Sequence, residues 1–297
     1  MVKIETIGFV GLGVMGEPMS ANLVRKAGIP VHVYDQNPQA VERLVAAGGI
    51  AEKSVEDLGS KVDVVFLSLP SIVQVESVCE ALLRAPRVPK LIVDMSTSEV
   101  ARTRVLAGKL ADAGVLFVDA PVARTKEAAV QGTLFITVGA TKALFDIVRP
   151  LLAHMGSDVL HCGDTGCGQV VKILNNIMVF MTVNALSEVL TIGRRAGMDG
   201  KELFDALSKG SADSFALRNH GMKSLVPDTF PEKVFPVEYA IKDASLALAL
   251  ADQAGFEPHI ARYTHDLLCK TRAAGFVQNY HPALIQLVDG RVPIKAA

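Results

Sequence analysis

The stretch "VGLGVMG" constrains this chain more than any other segment. It places Gly11, Gly13 and Gly16 in G-x-G-x-x-G spacing, directly after an apolar strand-like run and before the helical pattern "MGEPMSANLVRKAG". Each glycine has its own reason to be there: Gly11 permits a tight turn, Gly13 lets a pyrophosphate approach the backbone, and Gly16 allows the helix to pack closely on the strand. The helix N-terminus then faces the phosphates. With Leu12, Val14 and Met15 between them, residues 11–16 form one candidate dinucleotide cradle. Alone, such a triplet also describes an ordinary turn, so the surrounding pattern has to decide.

That pattern agrees with the cradle. A second strand-like run, "VHVYD", ends at Asp35, about twenty residues past Gly16, where a carboxylate accepts hydrogen bonds from the adenosine ribose hydroxyls. The competing reading is a solvated strand-end aspartate. A carboxylate repels a 2′-phosphate and "DQNP" sets no Arg or Lys beside it, so the expected cofactor is NAD rather than NADP. Two further strand-end loops, "SLPS" with Leu69 and Pro70 and "MSTS" with Ser96 and Thr97, lie where a nicotinamide ribose should rest.

Through Gly163 the chain alternates β-branched runs ("TIGFVG", "VHVYD", "DVVFLSLP", "LIVDMS", "LFVDAPV", "LFITVG", "DVLHCG") with helix-period segments. This rhythm predicts βαβ units and a largely parallel sheet with ligand loops at the carboxyl ends of its strands. After Gly163 helical patterns take over, through "KELFDALSKG", "YAIKDASLALALADQAG" and "ARYTHDLLCKTRAAG". The expected fold is therefore α/β: an N-terminal Rossmann doubly wound sheet over 1–164 and an all-α C-terminal domain over 165–297. A long helix from near Gly168 to about Ala196 joins the two.

Length and charge bound the function. At 297 residues the chain is about twice the usual single-domain size. Thirty basic against 31 acidic side chains give a net charge of −1, so no global field favours nucleic acid or an anionic membrane, and an anion must be captured locally. Cys79, Cys162, Cys167 and Cys269 form neither a C-x-x-C pair nor a metal-ligand spacing; no metal is expected, and a reducing cytoplasm fits best. The run "IMVFMTVNALSEVLTIG" is broken by Thr182, Asn184, Ser187 and Glu188, which suits a buried helix better than a membrane span. The N-terminal residues read as a first strand, without a cleavage site. The seven histidines are scattered, none in a strand-end loop beside an aspartate.

With Gly11, Gly13, Gly16, Asp35, "DMSTS", "DAPV" and "GQVVKILNN" in one order, the chain resembles the 3-hydroxyisobutyrate dehydrogenase (β-hydroxyacid dehydrogenase) family over nearly its whole length. The resemblance implies that Lys172, in the pattern Gly168, Lys172, Asn175, Asn176, is the catalytic residue and that Asn176 binds substrate. It also implies that Phe235 lines the site, that Lys242 with Asp243 approaches the cofactor, and that the protein is a homodimer or homotetramer built through its helical domain. The chemistry of the residues agrees. Exchange of hydride at a C–O carbon needs a proton donor or acceptor at the oxygen, a task for a partly desolvated lysine. On a helix, Lys172, Asn175 and Asn176 share a face by i, i+3 and i+4 spacing. Otherwise Lys172 is a helix-start lysine and the asparagines are bonded to neighbours, while Lys242 and Asp243 are solvated helix charges.

The substrate loop departs from the family's D-x-P-V-S-G-G: here it reads Asp119, Ala120, Pro121, Val122, Ala123, Arg124, Thr125. A planar five-donor cation and a hydroxyl replace the serine and the bare glycine amides. The loop is similar to the P-V-G-R-T loop of the 3-sulfolactaldehyde reductase subgroup, and "KILNNIMVFMTVNALSE" is similar to that subgroup's helix; Ala123 replaces its glycine, which restricts the backbone there. Ala123, Arg124 and Thr125, with Asn175 and Asn176, are thus the candidate anion and substrate contacts. Alternatively, Arg124 points to water or pairs with Glu127. The expected partner is a small anionic carbonyl compound or its hydroxy acid: 3-sulfolactaldehyde or a C3–C4 semialdehyde. The rivals are a carboxylate substrate, as in 3-hydroxyisobutyrate dehydrogenase or tartronate semialdehyde reductase, and a non-catalytic dinucleotide-binding scaffold or sensor.

Overall fold

A computed structural model describes residues 3–232 and 234–293. The chain divides into two compact units, Met1–Lys172 and Ile173–Ala297. In the first, strands and helices alternate: β1 (Ile7–Val10), α1 (Gly16–Lys26), β2 (Val31–Tyr34), α2 (Pro38–Ala46), β3 (Ile50–Ala51), α3 (Val55–Lys61), β4 (Val64–Leu67), α4 (Ile72–Leu83), β5 (Leu91–Asp94) and α5 (Val100–Asp112). Then come β6 (Leu116–Asp119), β7 (Val122–Ala123), α6 (Lys126–Gln131), β8 (Leu134–Gly139), α7 (Lys142–Leu152) and β9 (Gly156–Gly163). The sheet order is β3-β2-β1-β4-β5-β6-β8-β7, with β9 paired to β8. Strands β1 to β6 pair in parallel in the doubly wound arrangement, β8 runs antiparallel to β6 and β7, and β9 is parallel to β8.

Period-two side-chain alternation divides the strands between two cores. Phe9, Val33, Phe66 and Val93 pack with Met19 and Leu23 of α1 on one face. Val10, Val65, Leu67 and Ile92 pack with Leu82 and Leu110 on the other. Because helices cover both faces, strands such as β4 and β5 are buried at every residue, which is why they read as unbroken apolar runs. Side-chain caps start the helices: Asn37 before Pro38 on α2, Ser71 on α4, Thr141 on α7.

Helix α8 (Cys167–Arg195) begins in the first unit and continues into the second. There α9 (Gly200–Leu207), α10 (Val237–Gln253), α11 (His259–Ala273) and α12 (Ile285–Val288) follow, with a π-helical segment at Leu217–Leu225 and no strand element among the described residues. By length and composition α8 is apolar enough to cross a membrane, and one face of it, with Ile173, Ile177, Phe180, Val183 and Leu190, is buried. Phe180 packs on Phe235 and His281, and Asn184 donates to the Thr264 hydroxyl. The sequence signal missed the two-residue β3, the break between β6 and β7, and the π-helical turns, each too short or too dependent on packing to leave a periodicity.

Candidate active site

The cradle after β1 is made by backbone. Gly11 has φ +94°, and a Cβ there would come 2.3 Å from the Ser68 carbonyl; one at Gly16 would come 1.9 Å from the Gly11 carbonyl. Those two glycines are required by the fold itself. Gly13 differs, because nothing lies within 4 Å of where its Cβ would be. The bare, exposed backbone at Gly13, at the start of α1, is what an approaching pyrophosphate needs, so the residues present fit a dinucleotide. Asp35, at the end of β2, accepts from the Leu12 N–H at 2.6 Å and from the Asn37 N–H at 2.7 Å. Each carboxylate oxygen retains acceptor capacity for a ribose hydroxyl.

The loops at the carboxyl ends of β4 and β5 are stitched to each other and to the start of α8. The Leu69 N–H donates to the Ser96 hydroxyl at 2.9 Å. Ser96, through its N–H, and Ser98, through its hydroxyl, donate to the two oxygens of wholly buried Asp94. Burial pushes the Asp94 carboxyl up to about 6, against the hydrogen bonds from Ser96 and Ser98. Gln169 extends the network to α8: its Nε2 donates to the Ser96 carbonyl at 2.8 Å and its Oε1 accepts from the Ser98 N–H at 3.0 Å. Lys172 sits three residues on, half-buried, one helical turn beyond that anchor. Thr97 is half-buried in the same loop, Leu69 is half-buried and Pro70 is exposed.

Asp119, which opens the substrate-loop motif, turns inward. It accepts from the Gly166 N–H at 2.6 Å and the Gln169 N–H at 2.9 Å, holding the start of α8. Burial raises its carboxyl to about 6 and those amides oppose the rise. A Cβ on Gly139 or Gly168 would fall 2.4 or 2.8 Å from this carboxylate, so both positions need glycine. Gln169 and Asp119 are the positioning residues that sequence reasoning did not single out. Asp119 was visible only as the first residue of the "DAPV" motif and Gln169 only inside "GQVVKILNN", neither with a role.

Arg124 occupies a left-handed backbone conformation with φ +85°, where the family's loop has glycine. The alternative reading, that it points to water or pairs with Glu127, does not hold. Its guanidinium donates to the Thr133 carbonyl at 2.6 Å, the Ser157 hydroxyl at 2.9 Å and the Asp158 carboxylate at 2.7 Å, while Glu127 accepts from Gln131. The cause is distance along the chain: Ser157 and Asp158 come from the start of β9, which pairs with β8, and Thr133 from the turn just before β8. Ala123 is half-buried in β7, opposite Phe135. The Thr125 hydroxyl caps α6, accepting from the Ala128 N–H.

In the second unit the remaining candidates form two groups. Asn175 is exposed and donates to the Asn176 side-chain carbonyl; buried Asn176 donates to Asp243 at 2.7 Å, and Lys242 pairs with the other Asp243 oxygen at 3.2 Å. Lys242 and Asp243 are therefore not a pair of solvated helix charges, since Asp243 is buried. Phe235 packs against Phe180, Tyr239 and His281. His281 lies 5.3 Å, ring to ring, from His220, whose Nδ1 shares a hydrogen bond with the Tyr280 hydroxyl. Burial lowers His220 to about 4 and His281 well below its ordinary value, so both rings are neutral. Two of the scattered histidines, far apart in the chain, thus meet, which no local pattern could foretell.

Comparison with known proteins places this arrangement. Residues 6–163 match the family model for the NAD binding domain of 6-phosphogluconate dehydrogenase, and residues 166–288 match the model for the NAD-binding of NADP-dependent 3-hydroxyisobutyrate dehydrogenase. The chain is 35% identical to 2-(hydroxymethyl)glutarate dehydrogenase of Eubacterium barkeri, covering 88% of this chain and 85% of that one. It is 33% identical to 2-hydroxy-3-oxopropionate reductase of Escherichia coli (strain K12), covering 95% and 97%. A solved structure of Mycobacterium tuberculosis 3-hydroxyisobutyrate dehydrogenase with L-serine superposes with a TM-score of 0.88 at 29% identity, over 96% of this chain and 99% of that one. Cradle, sheet topology and these matches define a nicotinamide-dinucleotide-dependent oxidoreductase acting on CH–OH groups. More narrowly, the chain belongs to the 3-hydroxyisobutyrate dehydrogenase family.

Proposed function

We propose that the protein interconverts a short aldehyde or ketone bearing an anionic group with its hydroxy acid, using NAD(H), and that Lys172 is its proton-transfer residue. One observation carries the reading. Gln169 ties the first turn of α8 to the loop at Ser96–Ser98, and Lys172 follows one turn later, beside the loops proposed to hold the nicotinamide ribose. The bound nicotinamide supplies or accepts the hydride. Lys172 delivers a proton to the carbonyl oxygen in reduction and takes it back in oxidation. Asn176, its amide fixed by Asp243, orients the substrate together with Asn175, and Ala123, Arg124 and Thr125 receive its anion. Gly11 to Gly16 hold the pyrophosphate and Asp35 the adenosine ribose, which favours NAD over NADP; Leu69, Pro70, Ser96, Thr97, Phe235 and Lys242 complete the cofactor's surroundings.

Within that class the preferred substrates are 3-sulfolactaldehyde or a C3–C4 acid semialdehyde, on the strength of the Arg124–Thr125 departure from a glycine loop. A plain carboxylate substrate is the second reading. It is favoured by the engagement of Arg124 with Asp158 and Ser157 and by the carboxylic-acid substrates in the relatives' names. Steady-state assays of matched sulfonate and carboxylate aldehydes with NADH separate the two: a higher kcat/KM for the carboxylate removes the sulfonate reading. The proposed setting is cytoplasmic, with the protein a homo-oligomer. Leu174, Met178, Val189 and Ile192 are all exposed along one side of α8, an apolar stripe suited to a second copy of the chain. A monomer by light scattering would contradict that assembly.

A further inference from the structure

A groove of about 500 Å³ runs beside the cradle, between α1, α2 and α6. Gly13, Glu17, Arg25, Asn37, Arg43 and Lys126 are among its lining residues. It starts at the two backbone segments that grip Asp35, since the Leu12 and Asn37 amides both donate to that carboxylate and both residues line the groove. A ribose bound at Asp35, as proposed above, therefore has this groove next to it. In doubly wound folds an arginine near the end of the second strand is what accommodates a 2′-phosphate.

Three cations line the groove, so its charge alone does not explain a preference for the unphosphorylated cofactor. The state of Arg43 does. Glu17 takes its guanidinium in a two-pronged pair, Nε to Oε1 and Nη2 to Oε2, both at 2.7 Å. That is the edge with which a guanidinium grips a phosphate. Arg25 is turned to the Asn22 side chain. The bond from Arg43 holds the Glu17 carboxyl below its ordinary range, so it stays charged at working pH. With Arg43 about half exposed, the pair is a surface one, strong in geometry and modest in energy, so one substitution can release it.

We propose that Glu17 is a cofactor-specificity residue: by occupying Arg43 it withholds the groove from a 2′-phosphate and sets the preference for NAD(H) over NADP(H). This rests on the ribose placement at Asp35. Fluorescence titration of NADH and NADPH into the full chain tests it, comparing wild type, Glu17→Gln and Glu17→Gln/Arg43→Met. Glu17→Gln should tighten NADPH about tenfold, the scale of one charge-assisted contact, and leave NADH unchanged, which also shows that the cradle is intact. The double variant should return to the wild-type NADPH affinity. An unchanged NADPH affinity in Glu17→Gln overturns the proposal, and so does a gain that survives Arg43→Met. Failure of the ribose placement shows separately, as an Asp35→Ala variant that binds both cofactors like wild type; that result removes the specificity role with it.

Discussion

Two loops at the carboxyl end of the same sheet are built on opposite principles. The loop after β1 works by lacking side chains: Gly11 and Gly16 are forced by close backbone approach, and Gly13 leaves its backbone open, as the proposed dinucleotide requires. The loop after β6 works through side chains whose partners lie far along the chain. Asp119 turns in to hold Gly166 and Gln169, and Arg124 reaches Thr133, Ser157 and Asp158 from a backbone conformation that suits glycine. The first loop can be read from spacing alone. The second is read differently once its partners are seen, because a guanidinium held by a carboxylate must be released, wholly or in part, to serve a substrate.

The largest expected effect lies downstream of the second loop, at the helix that Asp119 anchors. Lys172→Ala should lower kcat by about 10² to 10⁴ with NADH affinity kept; near-normal turnover would strip Lys172 of its proposed role and leave the anchor without a catalytic purpose. Arg124→Gly comes next. It restores glycine at φ +85° and removes the guanidinium, so KM for sulfonate aldehydes should rise about ten- to a hundredfold while neutral aldehydes change little. Equal losses on both would make Arg124 a structural tie to β9 and nothing more.

The glycines of the first loop should separate from one another. Gly16→Ala should cost about 1–3 kcal/mol of stability in thermal or urea unfolding, whereas Gly13→Ala should unfold like wild type and lose NADH affinity. If the two variants were equally destabilised, the distinction between a packing glycine and a ligand-facing one would collapse. The smallest effect is expected at Gln169. Its replacement by Ala frees the Ser96–Ser98 loop from α8 and should raise KM for NADH about tenfold, in keeping with two lost hydrogen bonds, with a smaller change in kcat than Lys172→Ala gives. A KM at the wild-type value would show that the loop holds its shape through Asp94 alone.

Much of the architecture was legible because it follows from local periodicity. Strands such as "DVVFLSLP" and "LIVDMS" show as apolar runs between turn residues, and α8 shows as a long run whose polar interruptions include two that face partners, Asn176 toward Asp243 and Asn184 toward Thr264. The antiparallel edge was less visible. Whether β8 pairs with β6 and β7 or starts a separate layer depends on contacts with no trace in either strand's own pattern. Among the candidate site residues, Gly11, Gly13, Gly16 and Asp35 announced themselves by spacing, while Asp119 and Gln169 looked like an ordinary loop aspartate and a helix-surface amide. The Glu17–Arg43 pair, twenty-six residues apart, showed nothing in sequence of the groove it shares.

By itself the sequence determined the doubly wound sheet, the glycine cradle after its first strand and the change to helices after Gly163. All of these follow from rules acting within a few residues, where backbone freedom and side-chain period leave few choices. Only the tertiary structure decided which way the charged groups face: Asp119 into the start of α8, Arg124 onto Asp158, Glu17 onto Arg43. A long side chain takes the counter-charge that folding brings nearest, and nearness in space is set by the packing of whole elements rather than by position along the chain.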